Sequence, residues 1–496
     1  MRTRLPTILR ATATLALALA ILWQAARLTF RPDQQDDLRR VDALFVSGRY
    51  YDALSLALAL THREPRFAAG WARLGMLRAV RDEQTWASQA LGYAIGLGLR
   101  GYDYDLVRLY QGRVATAAGH RDEAARFWAQ VGTDAPLYPL RRVLEAETLL
   151  ATQDYAGAEA AYRAALLPTL PPDWRALAFA RLAGLRASSD PAGALDELAQ
   201  IGAPQPPTRL PASDILARPL LPAQRPDPDR LAAALRTEPA QRAQLLGQIY
   251  LDAGWYALAE AQFAAVAPGS PGALAAAAYA SYTSWRSGAR AEGQQRLEAL
   301  VAAYPEEPRA RALLALVYLA DEDAASARAQ LDMVRAMAPR APDTHLAWAQ
   351  WYAARHDYVA AAGEYRRALD QALPEQRGRY ALGLARFHLD TGLRVCELGP
   401  PAAASAARYL PDDTSAWATL AAARFTCGDA AGARAAAERA LALAPGSPEA
   451  TYYLGRALAS LGKRTEARRA LIQVADLVPA STWRARAETQ LTTLGL

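Results

Sequence analysis

Five histidines are the first residues to inspect for chemistry, because histidine serves both as a general base and as a metal ligand. They are His62, His120, His345, His356 and His388. No two of them have the spacing of a metal site. His356 precedes Asp357 in a polar stretch, where a solvated pair in a turn is a better interpretation than an acid–base dyad. The histidines therefore predict neither a catalytic site nor a metal site.

Other reactive side chains lead to the same conclusion. The acidic run Asp321, Glu322 and Asp323 could bind calcium, but acids are common in the turn between two helices. No glycine-rich loop follows a strand pattern, which argues against a phosphate-binding loop. There is no Cys-x-x-Cys motif, so a zinc site is not expected either. The sequence predicts no cofactor, no metal and no enzymatic activity.

The two cysteines, Cys396 and Cys427, stand 31 residues apart. This near-period spacing would allow a disulfide in an oxidising compartment. Two cysteines in a long chain prove little, and we favour two buried, unpaired thiols. The disulfide remains the alternative.

The charge balance is mildly basic, with 56 Lys and Arg residues against 50 Asp and Glu and a net charge of +6. Lys463 is the only lysine, and acids alternate with arginines in most predicted helices. This pattern argues against a nucleic-acid partner. The local basic patch around Lys463, Arg464 and Arg468 is interpreted as a solvated helix face.

The elements that position these residues follow a repeat. A small residue recurs mostly 34 to 38 residues apart, where two helices would touch. Glycines often stand five residues before it, and prolines twelve residues after it. A fixed period of this length is typical of a solenoid made from one supersecondary unit. The small residues are Ala53, Ala87, Ala124, Ala158, Ala194, Ala259, Gly293, Ala327, Ala361, Gly399, Ala433 and Ala467.

The repeat resembles the tetratricopeptide repeat in its motif residues. The matches include Trp71, Leu74, Gly75 and Ala87; Leu246, Gly247, Tyr250, Gly254, Tyr256, Ala259, Phe263 and Pro271; and Leu454, Gly455, Gly462, Ala467 and Pro479. The resemblance covers nearly all of residues 34–479, and the unit at 376–411 carries two to four extra residues. It implies an all-α, right-handed α-solenoid of about twelve helix pairs plus a C-terminal capping helix.

Prolines and composition divide the chain. Eight prolines between residues 203 and 230 forbid a helix pair there and predict a linker or loop. The predicted parts are an N-terminal signal or anchor segment (1–31), a first array of about five repeats (34–203), the proline-rich segment (204–230), a second array of about seven repeats (231–479) and a capping helix (480–496).

The N-terminal segment has Arg2, Arg4 and Arg10 before an apolar run from Ala11 to about Ala26. We expect an uncleaved single-pass membrane anchor with the repeats on the extracytoplasmic side. The alternatives are a cleaved signal, which would leave a secreted or periplasmic protein, and an apolar first helix that caps the solenoid.

The resemblance implies a concave groove, formed by the first helix of each repeat, that binds other proteins or peptides. We expect a non-catalytic, membrane-anchored scaffold in the assembly or maintenance of an envelope or membrane complex. The alternative is an exported soluble binding module in secretion or surface-polymer handling. The sequence leaves the oligomeric state open. The predicted groove residues are Gln244, Gln248, Tyr282, Trp285, Gln350, Tyr380, Phe387, Phe425, Tyr452 and Arg456.

Overall fold

The structure is a computed structural model, and it describes residues 33–202, 216–217, 219–222, 226–374, 376–476 and 482–495. These residues form 26 α-helices and one short 3₁₀ helix, with no strand among them. The prediction of an all-α repeat fold is confirmed. Most helices form consecutive pairs joined by short turns.

Twelve helix pairs can be counted in the described residues, with one extra helix (α11) between the fifth and sixth pairs and one (α26) after the last. The helices are Gln34–Val46 (α1), Tyr50–Arg63 (α2), Ala68–Val80 (α3), Gln84–Gly96 (α4), Tyr102–Ala117 (α5), Arg121–Trp128 (α6), Tyr138–Ala151 (α7), Tyr155–Ala165 (α8), Pro172–Arg186 (α9), Pro191–Ala199 (α10), Pro228–Leu235 (α11), Pro239–Ala253 (α12), Tyr256–Ala264 (α13), Ala273–Ser287 (α14), Arg290–Ala303 (α15), Pro308–Ala320 (α16), Ala324–Met337 (α17), Pro342–Ala354 (α18), Tyr358–Gln371 (α19), Arg377–Thr391 (α20), Val395–Tyr409 (α21), Thr414–Thr426 (α22), Ala430–Leu443 (α23), Pro448–Ser460 (α24), Arg464–Ala475 (α25) and Thr482–Thr493 (α26).

The chain divides into two compact units, one ending at Val107 and the other running Arg108–Leu496. The boundary falls inside α5. The first unit contains α1 to α4, and its most buried cation is Arg73 on α3. The Arg73 guanidinium donates to Asp42 Oδ1 at 2.7 Å and to Asp103 Oδ1 at 2.7 Å, so a buried cation is fully paired, as burial of charge requires.

The small residues of the repeat lie where the two helices of a pair cross. The ten alanines among them are fully buried. Glycines of the Leu-Gly motif bring the helices equally close: a Cβ on Gly75 would lie 2.6 Å from Leu91 Cγ, and one on Gly247 would lie 2.7 Å from Phe263 Cε1. No larger side chain fits at these contacts, which explains the period of the sequence.

The turn within eleven of the twelve pairs uses left-handed backbone, usually at glycine. Glu322 and His356 take the same conformation, with φ of 61° and 60°, and the aspartate that follows each of them caps the next helix. Asp323 Oδ1 accepts from the Ser326 amide at 3.0 Å, and Asp357 Oδ1 accepts from the Ala360 amide at 3.1 Å. The acidic run and the His-Asp pair are therefore helix-capping turns.

The two cysteines form a disulfide. Cys396 lies in the first turn of α21 and Cys427 directly follows α22, with their Cα atoms 5.2 Å apart. The favoured interpretation of two unpaired thiols is therefore wrong. The repeat explains the pairing, because a separation close to one period places equivalent turns of neighbouring pairs side by side.

The prediction of a single-pass N-terminal anchor is corrected by the structure. None of the helices in the described part of the chain is both long and apolar enough to cross a bilayer. The segment on which the anchor prediction rested, residues 1–31, lies outside the described residues. Membrane contact through that segment therefore gains no support.

The C-terminal capping helix closes the last pair. Ala487 and Leu491 of α26 pack in one core cluster with Tyr452 of α24 and with Leu471 and Val474 of α25. The stripe of apolar residues on α25 is thereby covered, as the final repeat of a solenoid needs.

Ala433→Leu should destabilise the protein by about 1–3 kcal/mol, because the added atoms overpack the crossing of α22 and α23. Chemical denaturation followed by circular dichroism measures this change. Ala435→Leu on the exposed face of the same helix is the matched control and should stay within about 0.5 kcal/mol of the parent. Equal effects of the two substitutions would contradict the assigned helix register.

Reduction of the Cys396–Cys427 disulfide should lower the free energy of unfolding by about 2–4 kcal/mol, because the crosslink restricts the unfolded chain. Urea denaturation with and without dithiothreitol measures the difference. The variant Cys396→Ser/Cys427→Ser should have the free energy of unfolding of the reduced parent, and dithiothreitol should not change it. A parent insensitive to reductant would contradict the pairing.

Candidate functional site

Three glutamines of the predicted groove lie at the protein surface on first helices of their pairs. Gln350 on α18 is exposed, and Gln244 and Gln248 on α12 are partly exposed. Gln248 Nε2 donates to Asp252 Oδ1 at 3.0 Å, one turn along the same helix. The three side-chain amides are accessible, and that of Gln248 already makes one hydrogen bond to Asp252.

Tyr282 and Trp285 on α14 form a stacked aromatic pair, with ring centroids 5.7 Å apart. Tyr282 is partly exposed, whereas Trp285 is 9% exposed and belongs to the core cluster that joins α14 to α15 and α16. Arg286 lies beside this pair and donates to the Tyr282 hydroxyl at 3.4 Å and to the Tyr256 hydroxyl at 3.0 Å. Tyr282 therefore remains accessible, while Trp285 mainly holds neighbouring helix pairs together.

Tyr380 and Phe387 on α20 are buried instead of lining an open face. The Tyr380 hydroxyl donates to Asp343 Oδ1 at 2.7 Å, and the Phe387 ring packs 5.0 Å from that of Tyr365. Leu384 and Ala385 of the same helix pack with Leu420 and Ala421 in one core cluster, whereas Arg386 is exposed.

The other three predicted residues come together near the C-terminus. The Arg456 guanidinium lies 4.3 Å from the ring centroid of Phe425 and 5.7 Å from that of Tyr452. Phe425 and Arg456 are partly exposed, and Tyr452 is buried. A cation held over aromatic faces in this way is attracted to the ring quadrupoles and pre-oriented.

Further residues join this group that the sequence analysis did not single out. The Tyr453 ring lies 5.7 Å from Trp483, and the Arg486 guanidinium lies 4.6 Å from the Trp483 centroid. Trp483 and Arg486 follow Glu449 and Tyr452 by the 34-residue step, so continuing the repeat frame into α26 would have found them. We call the set the C-terminal cluster: Arg386, Asp390, Phe425, Glu449, Tyr452, Tyr453, Arg456, Trp483 and Arg486.

The cluster combines arginines with one partly buried acid. Burial raises the pKa of the Glu449 carboxyl, an effect opposed by Arg386 and Arg486 and reinforced by Asp390. Burial also raises the pKa of the Tyr453 hydroxyl. Within the described residues, Arg386, Arg456 and Arg486 form no close ion pair with a carboxylate, although Arg386 and Arg486 act on Glu449 at longer range.

The most enclosed acid elsewhere is Glu364 on α19. One of its oxygens lies 2.7 Å from His345 Nδ1, and the other accepts from Arg335 at 2.9 Å and from Arg367 at 2.7 Å. Both of its oxygens therefore have partners, and the group joins adjacent helix pairs. Within the described ranges, no three histidine, cysteine or acidic side chains are grouped so as to hold a metal ion.

Comparison with known proteins places part of the chain in a family. The tetratricopeptide repeat profile matches residues 424–487, which contain most of the C-terminal cluster. No curated protein sequence matches the chain. The matched residues run from the end of α22 into α26, so the end of the chain is similar to the tetratricopeptide repeat.

Several solved structures share the helical repeat. Yeast Tom70 is 11% identical, with 93% of this chain and 95% of that chain aligned at a TM-score of 0.38. The Cut9–Hcn1 complex of the APC/C is 15% identical, and the alignment covers 94% of this chain and 90% of that chain with a TM-score of 0.38. PilW, a type IV pilus biogenesis factor, is 12% identical, and the alignment covers 44% of this chain and 100% of that chain with a TM-score of 0.38. Matches of this quality carry no argument about function.

The stability of the protein should fall as the pH drops below 6.5. His388 is fully buried, and burial lowers its pKa from the ordinary value of 6.5. Its Nδ1 lies 2.8 Å from the Leu393 carbonyl oxygen, and Nε2 has no partner in the described chain. The unfolded chain therefore binds the extra proton, and stability present above pH 6.5 is lost as the pH falls through the folded-state pKa.

Urea midpoints at several pH values between 7.5 and 5 measure this loss. His388→Gln removes the titrating ring and retains an amide donor, so its midpoint should fall less than that of the parent over the same interval. Identical pH dependence in the two proteins would show that His388 does not cause the loss.

Proposed function

We propose that the chain is a non-catalytic scaffold that binds an acidic, extended or helical segment of another protein at the C-terminal cluster. The observation that carries this proposal is a set of three arginines that form no close ion pair with any carboxylate in the described part of the chain, and two of them lie over aromatic rings. Such arginines are typical anchors of protein interfaces, because they offer both a flat surface and fixed hydrogen-bond donors.

The arrangement favours a ligand with carboxylates beside apolar or aromatic side chains. Arg386, Arg456 and Arg486 would donate to carboxylates, and the partly exposed rings of Phe425 and Tyr453 would contact apolar groups. Glu449 would accept from a backbone amide or a basic group of the ligand. All these residues project from first helices of their pairs or from α26, the face along which the repeat resemblance implies ligand binding.

The finer part of the proposal is that the scaffold takes part in assembling a larger complex. Support comes from the length of the array, because separate helix pairs offer separate surfaces to different partners. Gln244, Gln248, Tyr282 and Gln350 on the preceding first helices are accessible and would extend the contact. Tyr380 and Phe387 have no part in it, since both are buried.

Arg456→Ala/Arg486→Ala should weaken binding of an acidic peptide at least tenfold with little change in stability, because both guanidiniums lie at the surface of the cluster. Peptides would be selected by display on the purified protein, and their affinities measured by fluorescence anisotropy. Selected sequences should be enriched in Asp or Glu next to an aromatic residue.

The matched control is Arg434→Ala on α23, a second helix, where the arginine pairs with Glu438 at 2.7 Å. This variant should bind as the parent does. If the selected peptides bind the parent and the double variant equally well, their binding site lies outside the C-terminal cluster.

A further inference from the structure

Part of the proline-rich segment lies folded onto α5 and its neighbouring helices. Leu216, Ala217 and Leu220 are almost completely buried, although residues 216–217 and 219–220 form only single short helical turns. A proline-rich connection that served only as a spacer would be solvated. This stretch instead buries its apolar side chains against helices that lie about a hundred residues earlier in the chain.

The helices hold this stretch by its backbone. The Tyr110 hydroxyl donates to the Leu216 carbonyl oxygen at 2.7 Å, and Arg113 Nη1 donates to the Pro219 carbonyl oxygen at 2.7 Å. Both donors project from α5, the first helix of the third pair. The helices thus bond to main-chain carbonyls of the stretch, and the apolar side chains of the stretch are buried. A receptor holds a bound peptide by the same two kinds of contact.

A cavity of about 400 Å³ lies next to Leu220 and Pro222 of this stretch. Leu220 and Pro222 form one side of it, and first-helix residues of the third and fourth pairs form much of the rest. Its wall is rigid, because Glu147 on α7 accepts from Arg181 Nε at 2.8 Å and from the Tyr162 hydroxyl. Among its lining residues are Arg113, Thr116, Trp128, Leu144, Glu147 and Thr148. The stretch therefore fills only part of the available site.

We propose that first-helix residues of the third and fourth pairs form a second peptide-binding site, and that residues 216–217 and 219–222 occupy it as a tethered ligand. The site takes peptides in short helical turns that carry two leucines four residues apart, with proline beside or after the second. A tethered ligand competes at an effective concentration of roughly millimolar. A partner with the same pattern binds only by displacing the chain's own segment.

The test uses the full chain and a fluorescent peptide with the sequence of residues 216–222. Leu216→Ser/Leu220→Ser should release the tethered segment and raise the affinity for the free peptide at least tenfold over the parent. Adding Arg113→Ala to this variant should remove most of that gain, because the Pro219 carbonyl then loses its donor. A peptide with both leucines replaced by serine should not bind.

Circular dichroism and thermal melting establish whether the double variant is folded. A folded double variant that binds the peptide no better than the parent would overturn the proposal. So would a double variant that fails to fold, because the stretch would then be an integral part of the core.

Hydrogen exchange of the unmodified parent gives an independent measure. Backbone amides in residues 216–222 should exchange at least tenfold faster than those in the middle of α5, as expected for a segment that dissociates while the helices stay intact. Equal protection in the two regions would count against the proposal. Arg456→Ala/Arg486→Ala should leave peptide binding to the released site unchanged, which separates this site from the C-terminal cluster.

Discussion

The close approach of the two helices in each pair is the constraint on which the rest of the structure depends. Fully buried alanines such as Ala259 and Ala433, and glycines such as Gly75, leave room for only a hydrogen or a methyl group at the crossing. Because the small residue returns at the period of the repeat, the same contact between first and second helix recurs from pair to pair. A binding surface can then be built from side chains of successive helices, and it needs no cavity enclosed by a single domain.

Much of the fold could be predicted from the sequence, since it is governed by this local rule. The small residues, the turn glycines and the prolines that begin the next helix are read directly from residues such as Gly254, Ala259 and Pro271. The same rule located Phe425, Tyr452 and Arg456, and its continuation by one step reaches Trp483 and Arg486. These five side chains form the centre of the candidate site.

The rule failed where the chain departs from its period or where distant residues meet. Tyr380 and Phe387 of α20, which we expected to line an open face, are buried in helix contacts. The approach of Arg386 to Glu449 depends on how successive pairs stack, which no single repeat specifies. The docking of Leu216 beside Tyr110 joins residues far apart in the chain, and proline content alone predicts a linker there. The anchor prediction depended on composition alone and gained no support from the structure.

Arginine serves two different purposes in this chain, and burial separates them. Arg73 and Arg181 are buried and paired with acids, so their role is to hold helices of neighbouring pairs in register. Arg456 and Arg486 lie over aromatic rings and form no ion pair with a described carboxylate. The formal net charge of the chain therefore says little about its partners, because many other arginines are paired with acids of the same chain.

The disulfide between α21 and the end of α22 has a mechanical consequence. A stack of helix pairs behaves like a spring, because small rotations at each junction add up to large changes in length. Cys396 and Cys427 bridge one of these junctions directly, and the next pair along the chain carries Tyr453 and Arg456. Under tension the neighbouring junctions would stretch before the bridged one, so the oxidised chain would keep one stiff segment next to the C-terminal cluster.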